Sequence, residues 1–419
     1  MNRTHIRNGR LIDPGQGLDR IGDLYLADGR IVAQGTAPDG FVAERTIDAQ
    51  GLVVCPGLID LSAHLGSLES ELSAAVAGGV TAVVCPPDAQ PVLDAPDRVE
   101  RLIQRSRALG LARVHPLGAL TQGLGGETLT ELATLSRAGC IAFAQGQRPI
   151  AGPRVLLHAL QYATTFGYRV CLQPQDRDLA RDGVAHDGLV AARLGLPGIP
   201  VCAETVAIAS ILQLARATGA QLHLGRLSSA AGIALVREAR AAGIAVSCDV
   251  AIHHLHLSDM DIGFFDPHAR LDPPLRTAAD RDALRAAVAE GLAAICSDHT
   301  PVDADGKQRP FGEATPGASA VELLLPLTLK WADEMKLPLP SALARITCDA
   351  AKALGVEGGS LAVGAPADLC LFDPLETWRV RADTLRSRGK NTPFLGYVME
   401  GRAKATLLAG RVVFDALGH

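Results

Sequence analysis

Between Cys55 and Gly359, eight short apolar runs recur at intervals of roughly 30 to 50 residues, each separated from the next by an Ala/Leu/Arg-rich stretch of helical character. The runs are Leu58–Leu61, Ala82–Cys85, Val114–Leu117, Ile141–Phe143, Arg169–Leu172, Gln221–Leu224, Ala245–Cys248 and Ala293–Cys296. Such short runs between helical segments fit parallel strands buried on both faces, and eight of them predict an α/β fold, a closed (β/α)8 TIM-like barrel. The functional site of such a barrel lies where its strands end.

The flanks have a different rhythm. Thr4–Ile6, Asn8–Ile12, Gly22–Leu26 and Asp28–Ala33 are β-rich runs broken by turn signals, and similar runs return only at Asp368–Asp373, Lys404–Ala409 and Arg411–Phe414. The division expected is residues 1–54 and 362–419 as the two parts of a small β-sandwich, with the barrel over 55–361.

A formal charge of −5 without acidic or basic blocks gives no footprint for nucleic acid or an anionic membrane. Nine cysteines stand singly, several inside apolar runs, as buried thiols of a reducing compartment would. No secretory leader opens the chain, and no apolar run reaches the roughly 20 residues of a membrane span. These features predict a cytoplasmic protein whose partners are small molecules or other proteins.

Motifs along the whole length resemble the dihydroorotase branch of the amidohydrolase superfamily. They include Pro56-Gly-Leu-Ile-Asp60, Gly78-Gly-Val-Thr81, Pro116-Leu-Gly-Ala119, Asp272-Pro-Pro-Leu-Arg276, Asp298-His-Thr-Pro301 and Gly389-Lys-Asn-Thr-Pro-Phe394. The resemblance implies a zinc site at the strand ends, and most of its ligand positions are changed here. The His-x-His of strand one is Ser62-Ala-His64. The carboxylates after strand four are Gln145 and Gly146, the His after strand five is Gln173, and the His after strand six is Arg226. A guanidinium stays protonated and has no lone pair to coordinate zinc. His64 and Asp298 alone keep ligand chemistry, fewer than the three or four protein ligands of a catalytic zinc. In the substrate shell the resemblance implies an Arg where Gly66 stands, an Asn where Asp88 stands and a further His at Val302; Asp272 lies in the loop beyond strand seven.

Other features have plainer readings. His253-His254-Leu-His256 looks metal-like, but adjacent side chains point apart. Asp298-His299 reads as a structural hydrogen-bonded pair rather than a general base. Ser62, Ser228 and Ser229 lack a nucleophile elbow, and Gly123-Leu-Gly-Gly126 lacks the Lys-Ser/Thr of a phosphate loop.

The leading expectation is a non-enzyme: no metal, no cofactor, no catalytic or substrate-binding residues. By the family resemblance it implies a subunit that scaffolds aspartate transcarbamoylase catalytic chains in pyrimidine biosynthesis, homo-oligomeric within a hetero-oligomeric complex. Two alternatives remain open. One is a metal-poor amidohydrolase acting on a cyclic amide through Gln145, Gln173, Gln175 and Arg226; the other is a sensor that binds a small molecule in a vacated pocket.

Overall fold

The computed structural model describes residues 3–148, 150 and 152–417. The eight runs become eight parallel strands, Leu58–Asp60, Val80–Cys85, Arg113–Ala119, Ala142–Ala144, Arg169–Leu172, Gln221–Leu224, Val246–Ala251 and Ala294–Cys296, each hydrogen-bonded to the next in chain order. Their inward side chains, among them Ile59, Leu61, Val84, Leu117, Cys171 and Cys296, pack into a small-residue core inside the lumen. A ring of helices covers the outside. Within it, Val201–Thr218 is the one helix among the described residues long and apolar enough to cross a membrane. It packs against Pro153–Phe166 and Ala230–Ala241 and carries the buried Glu204.

Strands eight and one close the barrel without a regular ladder. A parallel bridge pairs Ala63 with His299, His64 N donates to His299 O at 2.8 Å, and His299 N donates to Ser62 O at 3.2 Å. Beneath it, Ser297 N donates to Asp60 Oδ1 at 2.8 Å and the Ser297 hydroxyl bonds the other carboxylate oxygen. The seam therefore runs through the strand ends where a functional site is expected.

The chain ends interleave in a second, mixed sheet. Val53–Pro56 lies between Thr4–Asp13 on one side and Leu369–Arg379 on the other, with Val398–Leu408 and Arg411–Asp415 beyond. Ile6, Leu24, Ile47, Leu369 and Leu407 share one buried cluster. Because Val53–Pro56 runs almost directly into barrel strand one, this sheet anchors the strand that begins the seam.

Replacing Ser297 with Ala removes one of the donors that satisfy the fully buried Asp60 carboxylate. Ser297→Ala is expected to cost about 1–3 kcal/mol, read as a lower urea midpoint; an unchanged midpoint would show that the seam does not depend on this bond.

Candidate functional site at the strand ends

Arg226 follows strand six and Asp298 follows strand eight. Both have positive φ, 59° and 48°, a conformation uncommon outside glycine. Asp249, on strand seven, helps hold the first: its Oδ1 accepts from Arg226 N at 2.7 Å, and its carbonyl accepts from Leu227 N at 3.0 Å. The guanidinium then donates from Nη1 to Asp298 Oδ1 at 3.1 Å, and Nη2 bonds the Gln173 carbonyl oxygen. Gln173 in turn donates to Asp272 Oδ1 at 3.5 Å. Burial opposes the charge on Arg226, but Asp298, Asp272 and Asp88 raise its pKa further above normal. Burial pushes Asp298 up to about 6, against the opposing pull of Arg226 and His64.

His64 and Asp88 form the second half. His64 Nε2 meets Asp88 Oδ1 at 3.0 Å, and its Nδ1 meets the Thr300 hydroxyl at 3.2 Å. Burial would raise Asp88, yet the bond to His64, with the charges of His64 and Arg226, holds it at about 2. Gly146, φ +61°, makes room for this carboxylate: a Cβ there would lie 2.7 Å from Asp88. Gln147 N donates to Asp88 Oδ2 at 3.3 Å.

The remaining predicted positions scatter. Ser62 uses its main chain in the seam, its N donating to Asp60 at 3.3 Å. Gln145 is buried, its amide donating to the Thr121 hydroxyl at 2.9 Å and Leu124 O at 3.2 Å. Gly66 is exposed with open space around it, and Val302 is braced through its N by Asn391. Ser228 and Ser229 both bond the buried Glu204, and His299 bonds Glu71 at 3.0 Å; all three serve the structure. His254 and His256 turn to separate carbonyls, Pro274 O at 3.2 Å and Leu327 O at 2.9 Å.

Sequence reading missed a polar chain in the lumen. His223 Nε2 lies 2.8 Å from Asp249 Oδ2, and His223 Nδ1 lies 2.9 Å from the Ser247 hydroxyl. His223 lowers the Asp249 pKa against the effect of burial, so the carboxylate is ionised and accepts a hydrogen bond from Nε2. The Ser247 hydroxyl also reaches Leu222 O and Ala353 O, each at 3.3 Å. A His and an Asp set into otherwise apolar barrel runs are the signal that would have found this chain.

These residues do not fit the zinc that the fold family uses. Both ring nitrogens of His64 are engaged, a guanidinium pairs with Asp298, and among the described residues no group of three His, Cys, Asp or Glu side chains is placed to hold a metal. The cavity left at the mouth, lined by Ser62, Gln173, Arg226 and Asp249 among others, is about 50 Å³, room for about three or four waters. The pocket expected to be vacated is largely filled by its own side chains.

The comparisons with known proteins agree on kinship. Residues 51–231 match the dihydro-orotase-like family model, and 191–414 match that of the amidohydrolase family. The chain belongs to the amidohydrolase family, in its dihydroorotase-like branch. It is 46% identical to a dihydroorotase-like protein of Pseudomonas aeruginosa, covering 98% of this chain and 99% of that one. It is 38% identical to a dihydroorotase of a Geobacter species, with coverage of 98% and 99%. Its fold matches an L-hydantoinase of Arthrobacter aurescens with a TM-score of 0.87 at 24% identity, over 99% of this chain and 97% of the other. These relatives correct the expectation of a non-enzyme. Proteins named dihydroorotase match end to end, so the altered strand ends are a change of donor set within a family of cyclic amidohydrolases and not a mark of inactivity.

Two tests follow from the electrostatics. Arg226→Met leaves three aspartates facing an apolar side chain, and losing one partner of a buried pair costs about 3–5 kcal/mol. The double variant Arg226→Met/Asp298→Leu should be less destabilised than the single one in urea unfolding; a double variant that loses the sum of both single losses would deny the pairing.

The second concerns pH. Burial lowers His115, His254 and His256 to about 4 and His253 to about 3. Each folded value lies below the ordinary 6.5, so between pH 6.5 and 4 the unfolded chain binds more protons at these four sites and stability falls with pH. Asp60 and Asp298, raised to about 6, and Glu204, Asp259 and Glu322, also raised by burial, act in the opposite sense, while His186 and the lowered carboxylates Asp88, Asp249 and Glu71 act with the four histidines. The urea-unfolding free energy should fall by on the order of a kcal/mol or more per pH unit below pH 6; a rise from pH 6 to 5 would contradict these assignments.

Proposed function

We propose that this dihydroorotase-like protein acts in the cytoplasm as a subunit that binds aspartate transcarbamoylase catalytic chains and stabilises their assembly for pyrimidine biosynthesis. The observation that carries this reading is the contrast between a barrel and end sheet kept along the whole length and a mouth whose polar groups bond one another. A surface contribution is compatible with both.

The surface offers an apolar patch for such a contact. Met260 and Phe264 are 67% and 93% exposed, and Phe265 beside them has a positive φ of 63°. Leu395, Tyr397 and Val398 are also exposed, and the charge of Asp261 reaches Tyr397. Clustered exposed apolar groups mark association surfaces. A stable complex would bury well over about 1,000 Å² and would shift transcarbamoylase toward the assembled state by mass action.

A second reading rests on the relatives named dihydroorotase: hydrolysis of a cyclic amide at the mouth. Arg226 and Gln173 would supply donors to a developing oxyanion, and the His64–Asp88 pair would accept a proton. The two readings can hold in one protein.

Purification from the native host should bring aspartate transcarbamoylase with this chain, and Phe264→Glu should weaken the association by about tenfold or more without lowering the chain's own stability. Asp298→Asn, at the mouth, should leave assembly intact. A deletion strain with normally assembled, fully active transcarbamoylase would sink the proposal, as would loss of assembly in a folded Asp298→Asn variant.

A further inference from the structure

At the opposite end of the barrel, where the strands begin, lies a cavity of about 360 Å³. That is within the usual range for small-molecule sites and far larger than the mouth. Its walls bring together Arg169 from strand five, Arg240 from the helix Ala230–Ala241, Lys352 from the helix Cys348–Leu354, and the Ser247 hydroxyl. The charge balance is one-sided. Asp349 also lines the cavity, but it is taken by Arg345. Among the described residues neither Arg169, Arg240 nor Lys352 has a carboxylate partner: Arg169 donates only weakly to Gln221 Oε1 at 3.5 Å, and Arg240 spends its Nε on Val246 O at 2.8 Å. Lys352 is exposed, in the last turn of its helix, where a cation suits the dipole. Arg240 likewise stands in the last turn of its helix, whereas Arg169, half-buried at the start of strand five, has no such reason to be there.

We propose that this barrel floor is a binding site for a small phosphate-bearing anion. Three cations arriving from three separate elements surround a ligand from several sides. This suits the distributed oxygens of a phosphate, whereas a planar carboxylate is satisfied by one guanidinium fork. Ser247 adds a neutral hydroxyl at the inner wall, hydrogen-bonded to His223. Binding there requires neither the partner nor a reaction at the mouth.

Inorganic pyrophosphate, titrated into the intact protein by calorimetry at low salt, should bind saturably at one per chain and raise the unfolding temperature. Lys352→Glu and Arg169→Gln should each weaken that binding by about tenfold or more while leaving the ligand-free unfolding temperature close to that of the unaltered protein. Arg386→Gln, in a different cationic cavity, should leave it unchanged. No saturable binding at about 10 mM pyrophosphate, equal affinity for Lys352→Glu and the parent, or succinate binding as tightly as pyrophosphate would each overturn the assignment.

Discussion

The closure of strand eight onto strand one is the constraint on which the rest depends. Seven of the eight strand contacts are ordinary parallel ladders, and the eighth is made by side chains and a single bridge: Asp60 with Ser297, Ala63 with His299. A carboxylate with no exposure is tolerable because main-chain and hydroxyl donors converge on it. The same few residues end strands one and eight, so what closes the barrel also fixes where Ser62, His64 and Asp298 stand. Substitutions at the mouth are thereby limited to those that leave the seam in place, and the side chains of Ser62 and Arg226 satisfy that limit.

Arg226 illustrates how a metal-type site is rebuilt with protein charge. A dication among aspartates and imidazoles supplies positive potential; one guanidinium supplies less, over a larger and planar volume. Here it faces Asp298, Asp272 and Asp88. The imbalance is shared out: Asp88 is stabilised as an anion by His64, while burial raises Asp298 to about 6. The mouth is thus a polar network whose parts are mutually satisfied. Any reaction there would begin by breaking bonds such as Arg226–Gln173, and this separates it physically from a site built around an open coordination position.

Strand positions were the most legible part of the chain, because an apolar run between helix-period segments is a local signal. Arg169–Leu172 and Gln221–Leu224 emerged residue for residue. Strand seven, read as Ala245–Cys248, runs over Val246–Ala251; it continues to Ala251 because Asp249 is buried with His223 and pairs beside Ala294. At the site, residue identities were visible and pairings were not. Arg226 and Asp298 lie 72 positions apart, and nothing local tells a guanidinium that its neighbour in space is a particular carboxylate. The filling of the pocket was hidden for the same reason: loss of ligands reads in sequence as a vacancy, whereas in three dimensions Arg226 and Gln173 reach across the mouth and bond each other.

The lumen chain gives the two ends of the barrel a physical connection. Asp249 holds the main chain of Arg226 at the mouth, His223 holds Asp249, and Ser247 holds His223 from the floor. Around it the lumen is lined by small apolar groups such as Ala144, Cys171 and Ala251, so the low dielectric strengthens each bond and leaves few alternative partners. The proton positions are consequently coupled. With Asp249 ionised, His223 Nε2 donates to it, and Nδ1 meets the Ser247 hydroxyl. The floor and the mouth are therefore ends of a single polar element running through an apolar barrel.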